Sequence, residues 1–386
     1  MSRSQMILSL VIVATLVVGV GRSTTPTATA AMPSSTAKSA QAALPKKAVV
    51  LFSYQDDWWC VIDENKGIVE GLTKAGYVEG RNIEITRLYM NTKSVNKTST
   101  LMEAAAVGLL AQIKEANPEV LLIMDDDALR HVGAKLLGTD LPIVFAGVNF
   151  FVTEPDYGWV SESQRAPLAD SLEHPGHNIT GVLERVSFKA GFKLLQQILP
   201  EAKTALFLSD NSVVGNALMK GGGGEAELEK APLRIVDKVY TDSFEELKAI
   251  ILDYQDKVDS IVLFIPWTLV DKKGNHVPQY QVVRWMLQNN KRPGIAYLDI
   301  LAKEGYLCGV AVDMVQQGFH AGVMAGRILN GEKAGEIPIS DPVANRIMIN
   351  LARADQLGIE IPFEVMKSAD VVFKKMTAYP EHRMSK

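Results

Sequence analysis

The sequence predicts an α/β protein made of two similar lobes in series. Short apolar or alternating segments with strand character alternate with segments of helical periodicity, which is the pattern of βαβ units around parallel sheets. The alternation stops between residues 150 and 177, in a stretch rich in Pro, Gly, Ser and acidic residues, and then resumes. A chain of 386 residues also exceeds what one hydrophobic core usually serves.

The first half contains four predicted strands and three predicted helices. The segment NIEITRLYM alternates in the way of a strand with one solvated face. Helical periodicity covers residues 61–75 and ends at Gly76, a common helix terminator. A second helix is predicted over residues 101–116 and a third over DDALRHVGAKLLG. The other three strands are AVVLFSY, EVLLIM and LPIVFAG.

The second half repeats this alternation. Its predicted strands are TALFLSD, LRIVDKVY, SIVLFIP and PGIAYL, and its predicted helices cover residues 188–199, 243–254 and 279–288. The segments NRIMIN, LARADQLG and IPFEVMKSADVVF then form a tail that is too short for a third domain. We expect this tail to cross back and dock on both lobes.

A strong helix is predicted over residues 314–329, just before the tail. Its three glycines, Gly318, Gly322 and Gly326, are spaced four apart and therefore share one face. Because glycine lowers helix stability, this spacing indicates that the helix lies very close to a neighbouring element.

The N-terminus has the form of a secretory signal peptide, which we assign to residues 1–30. A basic start precedes an apolar run over residues 6–21, and residues 28–30 read Ala-Thr-Ala, the small-x-small pattern of a signal-peptidase site. The alternative is a membrane anchor, but the run is shorter than the roughly 20 apolar residues that a spanning helix needs. No cysteine lies directly after this run, which argues against a lipoprotein. We expect residues 31–46 to form a flexible leader and the mature chain to be exported.

Composition and motif content exclude several classes of function. A formal charge of −4 gives no electrostatic reason to expect a nucleic-acid partner. The sequence lacks a GxxxxGK[ST] loop, a strand-linked GxGxxG, a GxSxG and an HExxH motif, so we predict no cofactor, no metal site and no catalytic residues. The two cysteines, Cys60 and Cys308, leave two alternatives open: a disulfide, or two separate, partly buried thiols.

The candidate binding residues follow the predicted strands, because ligands of open α/β sheets bind beyond the carboxyl ends of the strands. These residues combine aromatic faces with carboxylates and amides, which suit a small organic ligand with a hydrogen-bond donor or a positive group. The candidates are Ser53, Tyr54, Trp58, Trp59, Asp125, Asp126, Asn149, Asn211, Trp267, Tyr297 and Asp299. We expect an amino acid or an aromatic amine first, and a sugar or nucleobase next.

Several candidates have simple structural alternatives. An aspartate after a strand is often a helix N-cap, which applies to Asp125 and Asp126. Trp58 and Trp59 are adjacent and point in different directions on a helix, so at most one of them faces the ligand. Trp267 follows a proline in an apolar context and can belong to the core.

Longer motifs resemble the ABC-transporter substrate-binding proteins of the periplasmic binding protein type I fold. INLARADQLGIEIPFEVMKSADVVF (residues 349–373) is similar to the closing motif of that family. SLEHPGHNITGV (171–182) resembles its crossing segment, and GFHAGVMAGRILNGEKAGEIPI (318–339) resembles its Gly/Ala helix. The opening Ser-Tyr is similar to a branch of the family with a Ser-Tyr-His run, although Gln55 stands where that branch has the histidine.

The resemblance implies two Rossmann-like lobes with parallel sheets, joined by three crossovers. The N-terminal lobe would comprise residues 47–177 plus about 311–335, and the C-terminal lobe residues 178–310 plus about 340–375. Such a protein is a periplasmic monomer without a cofactor. It closes over a small organic ligand by a hinge motion and delivers it to an ABC permease in the membrane.

On this expectation, the two lobes contact the ligand from opposite sides. Tyr54, Asp126 and Asn149 would act from one lobe, and Asn211, Trp267 and Asp299 from the other.

Two other functions stay open. The same binder could report its ligand to a membrane signalling protein, since fold does not fix function. An exported α/β enzyme is less favoured, because it needs a nucleophile–base pair and only His131 lies near a strand end.

Overall fold

The computed structural model describes residues 44–154, 166–212, 215, 218–219, 223–340 and 345–377. The predicted signal peptide and nearly all of the predicted leader lie outside the described residues, as does part of the long segment before residue 177. None of the helices within these ranges is both long enough and apolar enough to span a bilayer.

The first sheet has five parallel strands in the order β2-β1-β3-β4-β5. This is a doubly wound order, in which the chain reverses direction across the sheet next to its first strand. Every residue of β3, β4 and β5 is buried, which places helices or loops on both faces. The strands are β1 (Lys46–Phe52), β2 (Ile83–Tyr89), β3 (Val120–Met124), β4 (Ile143–Val148) and β5 (Ile179–Leu183), and the helices between them are α1 (Trp59–Lys74), α2 (Ser99–Ala116) and α3 (Asp126–His131).

The rest of the chain forms two further sheets. The second sheet is parallel, with the order β7-β6-β8, and the third has the order β12-β11-β10-β9, with β10 and β11 antiparallel. The strands are β6 (Thr204–Ser209), β7 (Arg234–Tyr240), β8 (Ser260–Leu263), β9 (Ile295–Leu298), β10 (Cys308–Val312), β11 (Asn345–Asn350) and β12 (Val371–Phe373). The helices are α4 (Phe188–Ile198), α5 (Gly224–Glu229), α6 (Phe244–Tyr254), α7 (Gln279–Asn289), α8 (Asp299–Glu304), α9 (Met314–Leu329), α10 (Leu351–Leu357) and α11 (Phe363–Ser368).

Most predicted elements are present, with one correction in the first half. The segment DDALRHVGAKLLG is not a single helix: α3 ends at His131, and a short 3₁₀-helix covers Gly133–Leu136. The break falls at Val132 and Gly133, which both have low helix propensity. Strand β5, which the predicted boundary at residue 177 assigns to the C-terminal lobe, pairs with β4 in the first sheet. The lobe boundaries as a whole stay predictions.

The glycine-spaced helix α9 packs directly on α1, as its sequence predicts. A Cβ at Gly318 would overlap the carbonyl oxygen of Glu64, and a Cβ at Gly322 would overlap that of Ile68. Glycines on α1 make the reciprocal approach, since a Cβ at Gly67 or Gly71 would overlap the backbone of α9. The two helices therefore touch backbone to backbone, and this contact holds the late helix against the first sheet.

Candidate functional site

The carboxyl ends of the first and second sheets come together around one lysine. Tyr54 follows β1 and Trp267 follows β8, and the Nζ atom of Lys93 lies over both rings, 4.7 Å from the Tyr54 centroid and 5.7 Å from that of Trp267. Lys93 belongs to the loop after β2. A cation held between two aromatic faces is a favourable cation–π arrangement. The two predicted aromatic anchors therefore face the same point from different sheets.

Ser53 positions this loop and has no exposed surface of its own. Its hydroxyl donates to the Met124 carbonyl oxygen at 2.8 Å and accepts from the Ala128 amide at 2.9 Å. The end of β1 is thus bonded to the end of β3 and to the first turn of α3. In this structure Ser53 acts on the site by fixing the backbone that carries Tyr54.

Trp58 and Trp59 lie in different surroundings, as expected for adjacent residues. Trp58 is half-buried, and its ring centroid lies 6.2 Å from that of Tyr54 in an edge-to-face contact. Trp59 is the first residue of α1 and is buried, with its indole Nε1 lacking a hydrogen-bond partner among the described residues. Trp58 is therefore the member of the pair that extends the aromatic surface of Tyr54.

Asp126 and Asn149 form a bonded pair between the ends of β3 and β4. The Asn149 amide N–H donates to Asp126 Oδ1 at 2.9 Å, while the Asn149 Oδ1 atom is buried and has no partner in the described part of the chain. Asp125 lies beside them with a φ of 66°, and its Oδ2 atom is also buried without such a partner. Burial raises the pKa of Asp125, and the charges of Glu184 and Asp126 add to that rise.

Two further site residues, Glu184 and Arg185, were missed by the sequence prediction. Both follow β5, so the rule applied to the other strand ends would have found them. Burial and the charge of Asp126 raise the pKa of Glu184 to about 8, although hydrogen bonding by Asn149 opposes this. The Arg185 Nη1 atom donates to the Asn149 carbonyl oxygen at 2.7 Å. Lys93, Glu184 and Arg185 add both signs of charge to the predicted set.

The second sheet presents a hydrogen-bonded rim on its side of the site. Asp210 accepts from the backbone amides of Trp267 and Thr268, and thereby fixes the turn that carries the indole. The Trp267 indole Nε1 donates to Gln279 Oε1 at 2.6 Å. The exposed Asn211 donates to Asp242, through its amide at 3.0 Å and its side chain at 3.1 Å.

Tyr297 and Asp299, from the third sheet, lie in different surroundings. Tyr297 has no exposed surface, and its ring lies 4.6 Å from that of Phe188 in an aromatic core, which argues against ligand contact in this structure. Asp299 follows β9 and is half-buried. Burial and the charges of Asp63 and Asp313 raise the pKa of Asp299 to about 7. Asp63 lies on α1, which packs with the first sheet, whereas Asp299 follows a strand of the third sheet. The two carboxylates therefore act on one another electrostatically across these parts of the fold.

The site therefore combines three chemical features. Three aromatic side chains, Tyr54, Trp58 and Trp267, offer apolar faces. Buried carboxyl groups with raised pKa values lie beside them, and a positive ligand group would relieve their mutual repulsion. Lys93 supplies a cation that could pair with a negative ligand group. The arrangement suits a zwitterion with an apolar ring.

A separate groove of about 470 Å³ lies at the other edge of the first sheet. It is lined by residues at the amino ends of the strands, among them Lys46, Glu119 and Asn178. Ligands of α/β sheets bind at the carboxyl ends, so the strand-end site is the better candidate.

Both cysteines are buried free thiols, which decides between the two alternatives left by the sequence. Cys60 lies in the first turn of α1 and Cys308 begins β10.

Comparison with known proteins agrees with the geometry. A family model described as "ABC transporter substrate binding protein" matches residues 60–373. The "Tyrosine-binding protein" of Clostridioides difficile (strain R20291) is 26% identical over 285 residues, which cover 74% of this chain and 73% of that protein.

Two solved structures share the fold. A domain from Streptococcus pneumonia in complex with L-Trp is 22% identical, with a TM-score of 0.61 over 85% of this chain and 100% of that one. The ligand-free, open structure of a substrate-binding protein with adhesive properties from Clostridium difficile is 20% identical, with a TM-score of 0.61 over 86% and 100% of the two chains. The predicted α/β fold of the periplasmic binding protein type I class is confirmed.

Proposed function

We propose that this chain, which belongs to the ABC transporter substrate binding protein family, captures an aromatic amino acid between its sheets and delivers it unchanged to an ABC-type membrane permease. The family is one of substrate-binding proteins and not of enzymes. The ligand, its delivery and the site of action are our inference.

One observation carries the ligand assignment: the convergence of Tyr54 and Trp267 on Lys93. These residues come from different sheets, so a ligand lying between them would contact both and favour the closed arrangement. We place the ligand ring against the aromatic faces and its carboxylate against Lys93. Its ammonium group would then meet Glu184, Asp126 and the unpartnered Oδ1 atom of Asn149.

The relatives support the same ligand class. One curated relative is named for tyrosine, and one solved structure with this fold holds L-Trp. Both ligands are zwitterions with an aromatic ring, which is the chemistry deduced from the site.

We further propose that the protein works in the periplasm as a monomer, after removal of residues 1–30. The apolar run and the small-residue site at residues 28–30 support export. A binder that loads a permease must meet its ligand outside the cytoplasmic membrane, which is consistent with this location.

The test is a thermal-shift and calorimetric screen of the mature protein with L-Tyr, L-Trp, L-Phe, tyramine and tryptamine. A ligand at 100 times its Kd stabilises a native protein by ~2.7 kcal/mol, which corresponds to a rise in Tm of about 4 °C for a chain of this length. We expect this rise with at least one aromatic amino acid and a much smaller rise with the amine that lacks the carboxylate. If no amino acid raises the Tm, the proposal is wrong.

The variant Lys93→Met tests the carboxylate contact, because it removes the positive charge and keeps an unbranched side chain only one atom shorter. We expect it to bind the amino acid and its decarboxylated amine about equally. Lys74→Met is the matched control, because the Nζ atom of Lys74 also lies over an aromatic ring, 5.4 Å from the Phe319 centroid. Lys74 lies on α1 and Phe319 on α9, and neither belongs to the candidate site. An unchanged preference in Lys93→Met would show that Lys93 does not bind the carboxylate.

A further inference from the structure

A second cluster of polar side chains lies buried beside the binding site. Cys60 and Glu64 are four residues apart on α1 and therefore lie on one helix face. Asp125, at the end of β3, meets them from the sheet. One ligand atom from each residue, the thiol sulfur or a carboxylate oxygen, lies within 4.8 Å of the other two, and all three residues are buried.

Glu64 gives an independent indication that this cluster binds a ligand. Its side chain is fully buried, and neither carboxylate oxygen has a hydrogen-bond partner among the described residues. Buried carboxylates in proteins are normally paired with a cation or hydrogen-bonded. The backbone of Glu64 lies against Gly318 of α9, so the helix segment that carries this carboxylate is fixed in place.

The neighbouring backbone leaves room between the carboxylates. Gly147 of β4 has a φ of 70°, and a Cβ there would lie 3.1 Å from Asp125 Oδ1 and 3.3 Å from Glu64 Oε1. Glycine at this position keeps the space between the two carboxylates free of a side chain. Lys93 affects Asp125 and Cys60 only through its charge and is not hydrogen-bonded to them. Its Nζ atom lies over the rings of the binding site instead.

We propose that Cys60, Glu64 and Asp125 bind a divalent transition-metal ion of the zinc class. A thiolate together with two carboxylates suits Zn²⁺, whereas Ca²⁺ and Mg²⁺ prefer oxygen ligands alone. The bound ion balances the charge of the two carboxylates and ties α1 to the loop that carries Asp125 and Asp126. The metal site adjoins the amino-acid site, because Asp125 borders both, but the three metal ligands are argued from their own geometry and not from the proposed function.

The test begins with the metal content of the mature protein, measured by plasma mass spectrometry after purification without added chelator. We expect one equivalent of metal, and we expect Zn²⁺ to raise the Tm of protein first stripped by a chelator. Co²⁺ loaded in place of Zn²⁺ should give a thiolate-to-cobalt absorption band. This band reports Cys60 in the unmutated protein, so it does not depend on whether a variant folds.

Two variants and two matched controls locate the site. Cys60→Ser and Glu64→Gln should lose the metal and the Zn²⁺-dependent rise in Tm. Cys308→Ser and Glu304→Gln should keep both, because Cys308 is the other buried thiol and Glu304 is a buried carboxyl that accepts from Gln279 at 3.2 Å.

Three results would overturn the proposal. The first is a stripped protein whose Tm does not respond to Zn²⁺, and the second is a cobalt-loaded protein without the thiolate band. The third is stabilisation by an amine ligand alone that Glu64→Gln abolishes, which would assign Glu64 to the organic ligand.

Discussion

Two buried residues act on this site indirectly, because each fixes the backbone that carries an aromatic side chain. Ser53 is fully buried and fixes the turn that presents Tyr54, and Asp210 does the same for Trp267 through two backbone amides. Ser53 and Asp126 were predicted as ligand contacts, and in this structure both bond to the backbone of a neighbouring strand end. The chemistry that faces the ligand lies on the aromatic rings, Lys93 and the buried carboxyl groups.

Removing one aromatic face should weaken binding. Trp267→Ala and Tyr54→Ala are each expected to cost ~1–3 kcal/mol of ligand binding, because buried aromatic anchors contribute about that much to recognition. This corresponds to a Kd that is roughly 5- to 150-fold higher, measured by calorimetry with the amino acid that the screen identifies. Trp285→Ala is the control, since that ring packs against Phe244 at 6.2 Å, away from the site. Equal affinities in all three variants would contradict this assignment.

Glu184 predicts a particular dependence of stability on pH. Its pKa is about 8 in the folded protein against an ordinary 4.5, because burial and Asp126 disfavour the charged form. The folded state therefore holds the proton more tightly than the unfolded state, and stability falls as the pH rises from about 4.5 to 8. Arg185 opposes this shift and Asp299 adds to it.

The variant Glu184→Gln removes this titration. We expect the Tm difference, variant minus wild type, to grow by several degrees between pH 5 and pH 8 and to level off above that range. Thermal unfolding followed by circular dichroism in a series of buffers measures it. A difference that stays constant over the whole range would show that Glu184 is not a buried acid with a raised pKa.

At the scale of elements, the contact between α1 and α9 joins a late helix to the first sheet. The glycines at every fourth position predicted a close approach to a neighbouring element, and the structure identifies that element as α1. The short elements were harder to predict from the sequence. β10, α8 and β12 have three to six residues each and were not predicted, because so few residues show no clear periodicity.

The variant Gly322→Ala tests this packing. A Cβ at that position would overlap the backbone of α1, so we expect a loss of roughly 1–3 kcal/mol in the free energy of unfolding. Gly108→Ala is the matched control, because Gly108 lies inside α2 with nothing within 4 Å of the added carbon. That change should stabilise the protein by about 0.5–1 kcal/mol through helix propensity. Chemical denaturation measures both, and effects of equal sign would contradict the close contact.

At the scale of the whole molecule, the sequence predicted the fold better than the site. Long alternating segments and the closing motif indicated the α/β architecture, and the family match agrees with it. The site could be identified only from the structure, because Lys93 lies in the loop after β2 and has no sequence pattern that marks it. Its partners, Tyr54 and Trp267, lie 39 and 174 residues away along the chain. Glu184 was missed for a different reason: the segment before it was interpreted only as a crossing between lobes.

Export is a property of the whole chain and has its own prediction. Expressed from its full sequence in a Gram-negative host, the protein should appear in the periplasmic extract with its N-terminus at residue 31. Deleting residues 6–21, the apolar run, should leave it in the cytoplasm. N-terminal sequencing of the extracted protein measures this, and an uncleaved chain in the membrane fraction would favour the anchor instead.

The most direct test of the central claim is a crystal structure of the mature protein with the amino acid that raises its Tm most. The account predicts an intact ligand whose ring contacts Tyr54 and Trp267, with its carboxylate at Lys93 and its ammonium group near Glu184. A ligand bound in the groove beside Lys46, or density for a chemically altered product, would contradict it.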